Sequence, residues 1–236
     1  MQLLPKLQQD SNRLSLTILS GLVALGMGSA GASAAPFLSV DFGPSRSTTQ
    51  TGFLLFDQHN VSGRTYSTSE GDIFVNVLGE QPAGEDGYFD RAPIADNGPF
   101  TFGDLYRDFA FNNNEKLMDF TLTGLSVNTA YSVTWFSYDD GGSHSVSFAG
   151  ISGSSGSVGP LNYTGGVVPI TNYDPNNAGT ALFTTDGSGG LTVRATDTGD
   201  LRVNGFQIEV IPVPEPSSAA LILLGMVTAA VRRRRA

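Results

Sequence analysis

The chain's 236 residues include 13 Lys and Arg against 22 Asp and Glu, 29 Gly, 12 Pro and no Cys, with 40% hydrophobic residues and 15% charged. That apolar content suffices for a core and argues against whole-chain disorder, while the lack of Cys removes disulfide frameworks, thiolate zinc sites and Cys nucleophiles. The acidic balance speaks against nucleic acid as a partner, because phosphates need a basic footprint.

Lys6 and Arg13 flank a polar start, Leu14–Gly28 is apolar and uncharged, and Ala32-Ser33-Ala34 precedes Ala35-Pro36. A basic region, an apolar region and an A-x-A site are the three parts of a secretory signal peptide. Residues 1–34 are therefore expected to form a signal helix that engages the secretion translocon and is cleaved after Ala34, with Ala32 and Ala34 as the recognition positions. The apolar stretch is short for a spanning helix, which makes an N-terminal anchor the lesser alternative.

Residues 35–212 contain short β-branched and aromatic runs divided by Gly, Asn, Asp and Pro. The expected strands are Phe37–Phe42, Ile73–Leu78, Leu117–Leu122, Tyr131–Tyr138, Ser145–Phe148, Thr180–Thr184, Leu191–Thr196 and Leu201–Val210. Aromatics on both faces of Tyr131–Tyr138 place that strand centrally or beside a groove. Leu105–Asn113 is ambiguous between helix and strand. The fold class predicted is all-β, a two-sheet antiparallel β-sandwich of jelly-roll or Greek-key type.

The search for chemistry in this region yields few candidates. His59 and His144 fall in apparent loops without a second His at ligand spacing, and both are expected on the solvated surface. Glu85-Asp86-Gly87-Tyr88-Phe89-Asp90 sets acids beside rings as a sugar site would, although its Pro- and Gly-rich setting favours a solvated acidic turn. Asp139-Asp140-Gly141-Gly142 is either a tight turn or a loop offering oxygen ligands to Ca²⁺. Tyr88, Tyr163 and Tyr173 are the candidate exposed rings for sugar stacking, and Trp135 is assigned to the core. Arg107-Asp108 fits either a ligand clamp or a structural ion pair. No catalytic motif emerges, and the expectation is a non-enzyme.

Several short motifs stand in order through this region: Val40-Asp41-Phe42-Gly43, Leu105-Tyr106-Arg107-Asp108-Phe109, Leu122-Thr123-Gly124-Leu125, Tyr138-Asp139 and Val203-Asn204-Gly205-Phe206-Gln207-Ile208. In this order they resemble galactose-binding-like and malectin-like jelly rolls of bacterial surface proteins. The resemblance implies a fold of carbohydrate-binding-module type, sometimes with a structural calcium.

Residues 213–236 form a tripartite tail: Val213-Pro214-Glu215-Pro216-Ser217-Ser218, an uncharged run from Ala219 to Val231, and Arg232, Arg233, Arg234 and Arg235. As a helix the run spans about 20 Å, short of a ~30 Å hydrocarbon core, and the arginines hold its end on the cytoplasmic side. Pro214 and Pro216 keep the preceding segment extended and open to a protease. Motif, short transmembrane helix and Arg cluster together resemble the PEP-CTERM sorting signal of Gram-negative, exopolysaccharide-producing bacteria. The resemblance implies recognition by an exosortase-type transpeptidase, transient anchoring in the inner membrane, and final placement at the cell surface or in the extracellular matrix. Without residues 1–34 and Arg232–Arg235, 7 basic residues face about 21 acidic ones, a net charge of roughly −14. Three functions stay open: a surface or matrix protein whose domain binds exopolysaccharide, a secreted polysaccharide-active enzyme with a carboxylate pair, and a ligand-free spacer.

Overall fold

A computed structural model describes residues 35–58, 63–79, 87–92 and 94–211. The signal peptide with Ala32 and Ala34, His59, Glu85 and Asp86, and the tail with Val213, Pro214, Glu215, Pro216 and Arg232–Arg235 lie outside them.

Strict alternation builds one wall of the core. Ile73, Val75 and Val77 on β4 (Gly71–Leu78) are buried, as are Met118, Phe120 and Leu122 on β7 (Leu117–Thr123). Val146 and Phe148 on β9 (Ser143–Ile151) and Leu191, Val193 and Ala195 on β12 (Leu191–Thr196) continue the same face. With a period of two, each strand turns this apolar set inward and its polar set outward. With β3 (Arg64–Thr68) and β10 (Ser157–Thr164) at its edges, this sheet has the order β10-β9-β12-β7-β4-β3.

The opposing sheet is ordered β11-β8-β14-β1-β2, from β11 (Ala178–Thr184), β8 (Ala130–Phe136), β14 (Gly205–Val210), β1 (Leu38–Phe42) and β2 (Leu54–Phe56). Aromatic rings join the two sheets. Trp135 stacks on Phe148 with centroids 4.8 Å apart and meets Phe120 at 5.1 Å, while Phe42 meets Phe120 at 5.2 Å. Such pairs add directional preference to the burial of large apolar area. A third sheet, β13-β6-β5, comprises β13 (Leu201–Val203), β6 (Asp108–Asn112) and β5 (Tyr88–Asp90). Among the described residues the one other regular element is a 3-10 turn at Leu105–Arg107.

The all-β class and the facing sheets agree with the sequence, and Trp135 is fully buried. Three details differ. The pairing of β1 with β2 is parallel, whereas the other strand pairs are antiparallel. The run Leu201–Val210 is two strands in two sheets, divided at the fully buried Asn204. That residue donates its backbone N–H to the Phe136 carbonyl at 2.9 Å, accepts from the Phe42 N–H at 2.7 Å, and donates from Nδ2 to the Asp108 carbonyl at 2.6 Å. Gly205 follows, where a Cβ would stand 2.3 Å from the Val40 carbonyl oxygen, so only glycine lets β14 close onto β1. Finally, β2, β3, β5, β6 and β10 are strands that the alternation did not reveal. Leu105–Asn113 resolves into the 3-10 turn followed by β6.

Both faces of β8 are covered, which agrees with its two aromatic faces. Tyr131, Val133 and Trp135 enter the sandwich, while Phe136 packs outward against Phe53, Phe102, Tyr106 and Tyr173. Register fixes which end is which. Gly205 pairs with Phe136 at one end of the sheet, and Val210 with Tyr131 at the other. Leu38 pairs with Ile208, so the chain enters at Ala35 and leaves at Ile211 from that second end.

Candidate functional site

At the Phe136 end, three loops and the 3-10 turn converge on an open pocket of about 300 Å³. Arg91, Ala92, Ile94 and Ala95 follow β5, Tyr138 and Asp140 follow β8, Gly166 and Val168 follow β10, and Tyr106 comes from the turn. That volume lies at the small end of the range of small-molecule pockets. Tyr106 is held by donating its hydroxyl to the Asn172 carbonyl at 3.1 Å, and its ring meets that of Tyr138 edge-on at 5.8 Å.

An ion-pair relay fixes the polar wall. Arg91 donates in bidentate fashion to Asp139, from Nε to Oδ1 at 2.9 Å and from Nη2 to Oδ2 at 3.1 Å, and its Nε lies 3.0 Å from Asp140 Oδ1. Asp139 also accepts from Arg202 Nε at 3.3 Å. Burial pushes the Asp139 carboxyl up, but the Arg91 hydrogen bonds and the neighbouring charges prevail and hold it below the ordinary carboxylate range. Asp139 is buried, whereas the Asp140 side chain is 51% exposed and Arg91 33%. The relay therefore has a buried anchor and a solvent-facing rim with donors and an acceptor side by side.

The loops that carry this rim lock together through glycine. A Cβ on Gly165 would fall 2.5 Å from the Gly141 carbonyl carbon and 2.7 Å from the Asp140 carbonyl oxygen. The Gly165 N–H donates to the Gly142 carbonyl at 2.5 Å. Behind this contact stands His144, with Nδ1 2.9 Å from Asp197 Oδ2, Nε2 3.0 Å from the Gly141 carbonyl, and its ring stacked on Tyr163 at 5.0 Å. Burial disfavours the charged ring, but the Asp197 carboxylate and the Gly141 carbonyl outweigh it and raise the His144 pKa above the usual value.

The sequence expectations fare unevenly. Tyr88 is no exposed platform: it lies on β5 at 1% exposure and donates to the Gln58 carbonyl at 3.0 Å. Tyr163 is likewise buried, at 5%, because its β10 position alternates inward onto His144 and Tyr138. Tyr173 is exposed, with its hydroxyl 3.1 Å from Gln207 Oε1, but it does not line the pocket. Asp139 pairs with Arg91 and Arg202 and Asp140 with Arg91, and among the described residues no group of three or more His, Asp or Glu is arranged to hold a metal ion. His144, expected in solvent, is buried on β9. Arg107-Asp108 is engaged in ion pairs: from the 3-10 turn Arg107 Nη2 reaches Asp90 Oδ1 on the neighbouring β5 at 2.6 Å, and Arg107 Nε lies 3.5 Å from Asp108 Oδ1. Asp108 faces Asp90 in register, and burial pushes its carboxyl up to about 7.

Sequence reasoning missed Arg91, Tyr106 and the His144–Asp197 pair. Local sequence gives no sign of Asp197 meeting His144, 53 residues away. The scarcity of cations was a usable signal for Arg91, since an acidic chain with few arginines tends to place them against carboxylates.

Among the described residues no helix is long and apolar enough to cross a membrane, and the expected transmembrane segment lies outside them. No curated protein and no solved structure matches the chain. Residues 212–235 match the family model of the PEP-CTERM protein-sorting motif. With that motif the chain carries the address of an exported protein sorted by an exosortase, its C-terminus anchored in the membrane before processing.

Proposed function

We propose that this is a non-catalytic protein of the bacterial surface or extracellular matrix, whose jelly-roll module of galactose-binding-like type binds a sugar residue of exopolysaccharide in the pocket at Arg91, Tyr138 and Asp140. The sorting motif at 212–235 carries the placement. The pocket supports the binding: a guanidinium and a carboxylate at its rim match the acceptor and donor of vicinal hydroxyls, and Ile94, Val168 and Tyr138 supply an apolar wall for the ring face. Position supports it too, because the pocket sits at the end of the sandwich opposite Ile211, where the chain leaves toward the motif.

The enzyme alternative needs two carboxyl groups that reach a glycosidic oxygen. Asp90 and Asp108 stand opposite each other, yet Asp108 is fully buried and Arg107 holds Asp90. That arrangement favours binding without hydrolysis.

The test is binding of the full chain, purified in detergent, to exopolysaccharide from its source and to a panel of neutral and acidic sugars. Saturable binding is expected, weakened at least tenfold by Asp140→Ala and by Val168→Asp, neither of which removes a buried group. Absence of binding, or binding indifferent to both substitutions, overturns the pocket assignment and leaves the spacer. Release of reducing ends instead selects the enzyme.

A further inference from the structure

We propose that His144 is a proton-controlled latch on the pocket: as an imidazolium it pins the Asp139–Gly142 loop through the Gly141 carbonyl, and losing its proton releases that wall. The consequence for ligand rests on the sugar-binding reading, but the latch itself does not.

The argument begins with hydrogen-bond stoichiometry. A neutral imidazole has one N–H and one lone pair, so it donates to a single acceptor. Here both ring nitrogens face acceptors at ordinary lengths, the Asp197 carboxylate at 2.9 Å and the Gly141 carbonyl at 3.0 Å. A carbonyl has no proton to give. Asp197 also accepts the backbone N–H groups of Ser145 at 3.2 Å and Gly199 at 3.0 Å, which favours its ionised form. Both nitrogens are therefore donors, and the ring is charged.

Every neighbouring element bears on that charge. Asp197, after β12, favours it, as does the Gly141 carbonyl before β9; Arg202 on β13 opposes it, and Tyr163 on β10 stacks against the ring without a charge of its own. Gly141 follows Asp140 directly, and Gly142 accepts from Gly165, the neighbour of Gly166. Three pocket residues, Asp140, Gly166 and Val168, thus belong to the two loops that His144 fastens. When Nε2 loses its proton, its lone pair points at the Gly141 oxygen and the attraction becomes repulsion. The latch is closed at acidic pH and opens as pH rises through the His144 midpoint.

The experiment uses the full chain, isotopically labelled and in detergent, followed by NMR from pH 5 to 9. The expected result is a His144 midpoint above about 6.5, the unperturbed value, with the Gly142, Gly165 and Gly166 amides shifting at the same midpoint. His144→Gln should abolish that shared transition. A His144 midpoint at or below the ordinary value, or glycine amides that ignore it, overturns the latch; the wild-type titration decides this even if the variant fails to fold. No ligand enters, so the latch and the sugar reading fail separately. Where a panel sugar binds, its affinity should fall about tenfold from pH 6 to pH 9, the order set by one charge-assisted hydrogen bond; unchanged affinity overturns the coupling to ligand.

Discussion

Removing the Asp139 carboxylate is the sharpest structural test of the pocket wall. Its two partners differ: the Arg202 side chain is 9% exposed and that of Arg91 33%. Breaking a buried ion pair costs about 3–5 kcal/mol, mainly because the surviving charge stays buried, whereas an exposed pair is worth ~1 kcal/mol or less. In Asp139→Ala, Arg91 can hydrate or turn to Asp140. Arg202 keeps Asn113 Oδ1 at 2.6 Å, the Leu201 carbonyl at 3.0 Å and its stacking on Phe109 and Phe111, and Asp200 lies 3.6 Å away at half exposure. Those contacts place the cost near the lower bound, about 3 kcal/mol, against roughly 1 kcal/mol for Arg91→Ala. Asp139→Asn, which keeps the shape and removes the charge, should fall close to the Ala variant. The folded pKa of Asp139 is depressed, so its contribution is present above the unfolded value near 4 and disappears as pH falls through the lower folded one. Urea unfolding of the full chain at pH 7, by near-ultraviolet circular dichroism, measures all three. An Asp139→Ala cost under ~1 kcal/mol, or equal costs for the Asp139 and Arg91 variants, would refute Arg202 as the decisive partner.

Other outcomes follow from the same geometry. His144 has a raised folded pKa, so its stabilisation is complete below about 6.5 and is lost as pH rises through the folded value; His144→Phe should flatten the alkaline fall of the melting temperature between pH 6 and 9. For Asp108, with its carboxyl raised to about 7, stability is lost as pH climbs from about 4 to 7, because the unfolded chain ionises first. Asp108→Asn should consequently be more stable than wild type at pH 8 by up to a few kcal/mol in urea titrations, and nearly equal to it at pH 4. Gly165→Ala must force the loops apart at backbone contacts of 2.5 and 2.7 Å, costing about 1–3 kcal/mol and raising hydrogen exchange at Gly142; a neutral result there would mean that the two loops are not in fixed contact.

The strands visible in sequence are those that alternate against the sandwich core. Leu191–Thr196 appears with its bounds intact, and β4, β7, β9 and β11 need only extension at one or both ends. Among the missed strands β3 and β6 lack that contrast, and in β10 it is broken by Gly159-Pro160, where the register shifts. Tyr66 is the one buried residue of β3, while β6 is buried at all five positions, so its polar Asp108 and Asn112 mark no solvent face. The split at Asn204 was invisible because alternation continues across it, although the partners change from β6 to β1 and β8. Tyr163 was misjudged from the Asn and Gly around it: Asn162 and Thr164 point outward on an edge strand, and the ring between them points in. The sorting tail was legible because its signal is linear. The pocket was not, because Arg91, Tyr106, Tyr138 and Val168 meet only after the strands have paired.

The absence of cysteine and the scarcity of cations belong to one design. An exported chain enters an environment where disulfides commonly fasten loops, and this one has none to form. Its loops are joined by arginine instead. Arg91 ties the segment after β5 to the loop after β8, Arg202 ties β13 to that same loop, and Arg107 fastens the 3-10 turn to β5. Arg194 pairs with Asp119 across β12 and β7, and Arg64 reaches Asp57. Planar guanidinium groups suit this role, since each can meet a carboxylate through two parallel bonds and still stack on a ring, as Arg91 does over Phe89 at 4.6 Å. With so many arginines committed to internal carboxylates, the remaining Asp and Glu dominate the outer surface. Such a surface repels anionic lipid and phosphate at long range, with a reach that shrinks as salt rises. On the proposed reading, a neutral sugar is then held by short-range hydrogen bonding and apolar contact, which the Arg91–Tyr138–Asp140 pocket offers.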